Sequence, residues 1–210
     1  MKSFFLFSSS IIAVTLLFAS CKNDAASASD EEQLPLTVHT HVDSVLGWTL
    51  DVPSNWHIQS LKEIAETNQK GVESMENEVG QTMDLSIYSN VFSFVKDSSN
   101  MFQSVREKYE KSEDEWLKNN AALKQLFCNV YANQGARVDS SETTIVEIDG
   151  KKFYNYEILF YDKDDITMVQ AFYSTLMNGY DFSVSLCATN EEDKQELVSI
   201  WENSQFKEED

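Results

Sequence analysis

Three histidines, His39, His41 and His57, are all that the chain has, and they fall within 19 residues of one another. His39 and His41 are two apart in a stretch rich in β-branched residues, so on a strand they share a face. With His57 they would make three nitrogen ligands for zinc or copper. A strand and a turn separate His41 from His57, which favours exposed strand histidines instead. Asp162, Asp164 and Asp165 crowd one turn. A calcium loop of the EF-hand type counted from Asp162 needs Gly at the sixth place and Glu at the twelfth. Those places hold Thr167 and Tyr173, so the turn reads as a solvated hairpin. Cys128 and Cys187 fit no zinc spacing. An oxidising compartment would allow a disulfide between them, and two buried thiols are the other reading.

Cys21 is different. It follows Leu17-Phe18-Ala19-Ser20, at the end of an apolar run that begins just after Lys2. A basic start, a short apolar stretch and small residues before the cleavage point mark a signal peptide over residues 1–20. Ile11 to Ala19 is too short to cross a hydrocarbon core of about 30 Å as a helix. The pattern resembles the lipobox of bacterial lipoproteins, in which the small residues admit the peptidase and the thiol takes up diacylglycerol. Phe18 stands where Leu is commoner. Cys21 is therefore the expected lipid attachment site, and membrane lipid the expected partner through the acylated N-terminus. Residues 21–36 read as a flexible tether, polar, small and acidic over Lys22 to Gln33. Acidic residues behind the lipidated cysteine resemble the surface-export signal of Bacteroidetes lipoproteins. That resemblance implies an outer-membrane location, periplasmic or surface-exposed.

A net charge of −19, or −20 once Lys2 leaves with the signal, repels nucleic acid and anionic headgroups. Nucleic-acid binding is excluded on that ground. Six glycines in 210 residues leave no Gly-rich phosphate loop. No GxSxG elbow or other nucleophile signature is present. No catalytic residue, cofactor-binding residue or metal ligand is assigned. A hydrolase with an unrecognised carboxylate site stays open as an alternative, as does metal binding by His39, His41 and His57.

The elements that must position these residues are legible from period and punctuation. Thr37–Val42 and Gly47–Pro53 read as strands. Ser60 caps a helix whose stripe runs Leu61, Ile64, Ala65, Asn68, Val72, Met75 and Val79, with Gly80 as its stop. Met83 to Val95 is β-rich. Met101, Phe102, Val105 and Tyr109 predict a short amphipathic helix. Ser112 and Glu115 predict a capping box opening a long helix with Trp116, Leu123, Phe127 and Val130 on one face. Four strands follow, 143–148, 153–161, 166–177 and 180–188. Asp149-Gly150 and Asn178-Gly179 make tight hairpin turns of two joints. Tyr154, Tyr156, Ile158 and Phe160 take one face of their strand and Phe153, Leu159 and Tyr161 the other, so both faces of the sheet need cover. Asn190 caps a last helix carrying Leu197, Ile200 and Trp201. Residues 207–210 are an acidic tail. The expected fold is one α+β domain over 37–206, a largely antiparallel sheet with helices on its faces.

This order resembles the PsbP-like superfamily. The resemblance is carried by GWTLDVPSNW (47–56), IDGKKFYNYEI (148–158) and YDFSVSLCATNEEDKQELVSIWENSQF (180–206). Trp48 stands where the family more often has Phe. The segment from Asp97 to Gly135 looks longer and more helical than in the plant members. The superfamily joins photosystem accessory proteins to envelope lipoproteins, is mostly non-catalytic, and shares no catalytic residues. The resemblance thus implies a non-enzymatic binding or scaffold module, with a possible protein partner in the envelope.

Overall fold

The computed structural model describes residues 37–80 and 88–207. The signal peptide, Cys21, the tether, Met83, Leu85 and Ile87 of the expected strand, and the last three residues lie outside the described residues. Among the described residues are two antiparallel sheets and three helices. The small sheet has the order β1 (Val38–Asp43), β2 (Trp48–Pro53) and β11 (Gln205–Phe206). The main sheet runs β3 (His57–Ile58), β4 (Tyr88–Val95), β5 (Met101–Lys108), β10 (Tyr180–Ala188), β9 (Asp165–Met177), β8 (Lys151–Asp162) and β6 (Arg137–Ser140), with β7 (Thr144–Ile148) also paired to β8. The helices are α1 (Leu61–Val79), α2 (Glu113–Asn133) and α3 (Glu191–Glu202).

The hairpins form where the turn residues dictate. Asp149 and Gly150 have φ of 45° and 74°, and Asn178 and Gly179 have 52° and 76°. Both pairs hold the left-handed conformation that matches strand twist. Strands β7 and β8, and β9 and β10, are thereby fixed in register, with Ile145 opposite Tyr154 and Val184 opposite Tyr173.

Period two then divides the side chains of this sheet between two cores. On one face Phe102, Phe153, Phe182 and Val184 pack with Trp48, Trp201 and Phe206. On the other, Val105, Tyr156, Ile158 and Phe172 pack with Leu123, Phe127, Val130 and Tyr131 of α2. Helix α2 presents Trp116, Leu123, Phe127 and Val130 inward as its spacing requires, and all four are buried. The first face is shared between α3 and the small sheet rather than covered by helix alone. Trp48 ties them together: its ring lies 5.3 Å from Phe182 and its Nε1 donates to Ser204 Oγ at 3.1 Å.

One expected element is of the other type. Residues 101–109 form a strand through Lys108, not a helix. Met101, Phe102 and Val105 mimic a helical stripe only if Gln103 and Ser104 are taken as a solvated face. All five are buried. Gln103 Nε2 donates to Asn68 Oδ1 at 2.7 Å, and Ser104 Oγ to the Phe92 carbonyl at 2.9 Å. A strand covered on both faces loses the alternation that would identify it. The capping boxes also differ from expectation. The reciprocal box sits at Ser60 and Glu63. At α2, Ser112 Oγ accepts from the Glu115 N–H, but the Glu115 carboxylate turns to Lys111 at 2.8 Å. Leu61, first in the expected stripe of α1, is 75% exposed, while Ile64 is buried.

Trp201 is fully buried at the centre of the first core. Truncation to Ala should cost about 4 kcal/mol, the range for deleting a large aromatic side chain. Urea denaturation of Trp201→Ala should show a lower midpoint with an unchanged slope; a loss under 1 kcal/mol would mean that the layers do not depend on this ring.

Candidate functional site

The chain enters the described domain at Thr37 and passes directly into β1. Ser54 N–H donates to the Thr37 carbonyl at 2.8 Å, which sets the phase of the β1–β2 ladder. Thr37 and Ser54 form a hydrogen-bonded pair, so His39, His41 and Asp43 turn their peptide groups toward β2. Val38, Thr40 and Val42 turn theirs toward the outer edge. Pro53, which has no N–H, faces Val38 at a place where the ladder asks for none. The side chains divide as well. His39 and His41 face the main sheet, and Val38, Thr40 and Val42 face outward.

His41 stacks on Phe92 with ring centroids 4.0 Å apart and meets the edge of Trp48 at 5.3 Å. His39 lies over the same Phe92 at 6.3 Å. The expected common face is thus present. Burial lowers the His41 pKa; Asp43 opposes that shift and His39 adds to it. His41 Nε2 has no hydrogen-bond partner among the described residues. His57 turns away to Glu63, at 3.1 Å. The Glu63 carboxyl is held down to about 2, first by the Ser60 hydroxyl, then by the Ser60 N–H and by His57. Among the described residues no three His, Cys, Asp or Glu side chains converge as metal ligands. The three-histidine metal reading fails because two rings are stacked on Phe92 while the third belongs to a helix cap.

Between these elements opens a groove of about 580 Å³, lined by Val38, His39, Pro53, Asn55, Trp56 and His57 among others. It runs along the start of β1 and the turn from β2 to β3. The Lys96 ammonium lies 5.5 Å from the Trp56 ring, and Asn55 Nδ2 donates to Glu196 Oε1 at 2.9 Å, so the turn is held against α3.

Reasoning from sequence missed a carboxylate pair. Glu107 and Asp181 face each other across β5 and β10, 4% and 1% exposed. Ser183 Oγ lies 3.0 Å from Ser174 Oγ and 3.5 Å from Asp181 Oδ1. Reading 101–109 as a helix hid this register. The groove lies elsewhere, on the side of β1 and β2, and no residue lining it belongs to β5 or β10.

Cys128 and Cys187 are both free thiols. Burial raises the Cys128 pKa, and pushes that of Cys187 up to about 12. Asp162 and Asp165 close the β8–β9 hairpin opposite each other, and Asp164 lies 3.5 Å from Arg137 on the surface.

No protein-family model matches the chain, and no curated protein does. Among solved structures, that of cyanobacterial PsbP (CyanoP) from Synechocystis sp. PCC 6803 is similar. The likeness covers 87% of this chain and 98% of that one, with a TM-score of 0.54 at 11% identity. The fold is PsbP-like. In this PsbP-like domain the segments 47–56 and 180–206 meet: Trp48 and Phe206 are partners across β2 and β11. At such low identity the likeness speaks for the fold alone.

Two measurements check the site. Burial lowers the His41 pKa in the folded state, so near and below its ordinary pKa of about 6.5 the unfolded chain binds more protons. Stability should fall as pH drops through that value toward the lower folded pKa, and His41→Phe should flatten this part of the profile in acid-unfolding curves. A slope unchanged by the substitution would remove His41 as its source. For the thiols, iodoacetamide at pH 8 should leave Cys187 unmodified and label Cys128 more slowly than a free cysteine peptide. Mass spectrometry showing rapid labelling of Cys187 in the native protein would contradict its burial.

Proposed function

We propose that the chain is a lipoprotein of the bacterial cell envelope, anchored in the outer membrane through acylated Cys21. Its PsbP-like domain is a non-enzymatic module that binds or scaffolds a protein partner. The observation that carries this reading is the run Leu17-Phe18-Ala19-Ser20-Cys21 at the end of a short apolar segment. Acyl chains contribute about 0.8 kcal/mol for each buried methylene, and one chain anchors only marginally. The two or three chains of a mature bacterial lipoprotein hold firmly. Anchoring then needs no spanning segment, and among the described residues no helix is long and apolar enough to cross a membrane.

The tether supports the same reading. From Asn23 to Leu61 there is no Lys or Arg, so the chain beyond the anchor is not drawn onto anionic headgroups. Fifteen residues separate Cys21 from Thr37, about 50 Å if fully extended, enough to lift the domain clear of the headgroups. Asp30, Glu31 and Glu32 in that tether support display on the cell surface, in the manner of Bacteroidetes lipoproteins.

The wild-type chain, expressed in a bacterium fed radiolabelled palmitate, should take up label and fractionate with outer membranes. Cys21→Ala should lose the label and leave the membrane fraction. Equal labelling of Cys21→Ala would end the lipoprotein reading.

A further inference from the structure

No described strand pairs with the outer edge of β1. Sheet edges are ordinarily closed to strangers by Lys, Pro, a bulge or extreme shortness. Strand β1 has none of these. It runs six residues, Val38–Asp43, in unbroken register with β2. By the ladder phase, Val38, Thr40 and Val42 each offer an N–H and a carbonyl to that edge. On the outward face Val38 and Val42 are 57% and 59% exposed, with Thr40 between them donating to Asp51 at 2.6 Å.

The charge around this edge is mostly acidic, the exception being Arg106 of β5, which is paired with Asp43 at the end of the strand. Residues 23–61 contain six acidic residues and no Lys or Arg. Asp30, Glu31 and Glu32 lead into β1, and Asp51 stands beside Thr40. A second copy brings the same charge and a net −19 of its own, so it is repelled.

We infer that the β1 edge receives an extended, net-basic segment of a partner protein, which adds to the small sheet as a new outer strand. Peptide groups of Val38, Thr40 and Val42 supply main-chain hydrogen bonds, Val38 and Val42 supply apolar contact for alternate side chains, and the acidic surroundings select the partner's charge. This rests on the reading of the domain as a binding module and names the partner's chemistry.

The test uses the mature lipidated chain in detergent micelles and an eight-residue peptide alternating Lys with Val and Thr. Its controls are the same peptide with Glu for Lys and the same peptide N-methylated at alternate residues. The basic peptide should slow amide exchange of Val38, Thr40 and Val42 at least tenfold and leave His39 and His41 unchanged. Neither control should do so. Thr40→Pro removes one outward N–H and no main-chain β1–β2 hydrogen bond, and the side-chain bond to Asp51 that it loses is lost equally in Thr40→Val, so it should weaken binding at least tenfold while circular dichroism stays native. Thr40→Val, which keeps that N–H, should bind as wild type. The N-methylated control decides the matter without a variant if Thr40→Pro does not fold.

Absence of protection at the three amides overturns the inference, as does equal binding by the acidic or N-methylated peptide. A dimer in sedimentation that Thr40→Pro dissolves would assign the edge to a second copy and overturn it too. Peptide pairing does not require the acyl chain, so loss of the palmitate result would remove the envelope reading and leave these exchange rates standing. Intact lipidation without edge pairing would leave an anchored module that binds elsewhere.

Discussion

The Trp201 indole lies within 6.3 Å, centroid to centroid, of Trp48, Phe102, Phe153, Tyr173, Phe182 and Phe206. Those six rings come from both sheets, so α3, the small sheet and the main sheet are joined through one side chain. All six contacts are edge-on or tilted, the geometries in which ring quadrupoles attract. The placement of β1 follows from it. Trp48 meets Trp201 and carries β2; β1 pairs with β2 along its whole length; His41 then comes to rest on Phe92.

A polar clamp refines what the aromatic cluster places. Lys96 Nζ reaches Asp193 at 2.5 Å and Glu196 at 3.4 Å on α3, beside the Trp56 ring. The hydrogen bond to Asp193 raises the Lys96 pKa. For Asp193, burial pulls the other way, yet the bonds from Lys96 and Asn190 bring its pKa down. Lys96 is a third exposed, so the pair adds little to stability in water. Its effect is on geometry: it fixes the turn that forms one wall of the groove against the first turns of α3.

The parts of this fold legible in the sequence are those with a local cause. Asp149-Gly150 and Asn178-Gly179 need positive φ wherever they stand, and Asn190 caps α3 with its own side chain, Oδ1 accepting from Asp193 N–H at 2.8 Å. Residues 101–108 became a strand for a non-local reason. Two strands, β4 and β10, flank it, and its polar side chains Gln103 and Ser104 are satisfied by partners far away in the chain. The short strands β3, β6 and β11 have two to four residues, too few to show a period. At the candidate site the shared face of His39 and His41 was legible because it follows from alternation alone. The helix-cap role of His57 was not, since it depends on where α1 begins relative to β3, and the carboxylate pair at Glu107 and Asp181 required the register of two strands far apart in the chain.

The second face of the main sheet shows why register holds where side chains are polar. Tyr131 hydroxyl donates to Gln170 Oε1 at 2.5 Å, and Gln170 Nε2 donates to Ser185 Oγ at 3.1 Å, linking α2, β9 and β10. A slip of one residue would send Gln170 to the aromatic face and strand the Tyr131 hydroxyl in a dry core, where an unpaired polar group costs about 1–3 kcal/mol. The interior register is therefore locked chemically, strand against strand. The outer edge of β1 has no such lock. An unguarded edge between copies would invite aggregation, and from Val38 to Val42 no residue of β1 opposes it; Asp43, at the strand's end, is turned inward to Arg106. What opposes it is carried elsewhere in the chain: the net charge of −19 and the acidic run before Thr37 repel like molecules at distances beyond hydrogen-bond reach. Acidity and the open edge thus belong together. A chain this acidic can leave a strand unguarded against its own copies, and the same repulsion turns to attraction for a segment of opposite charge.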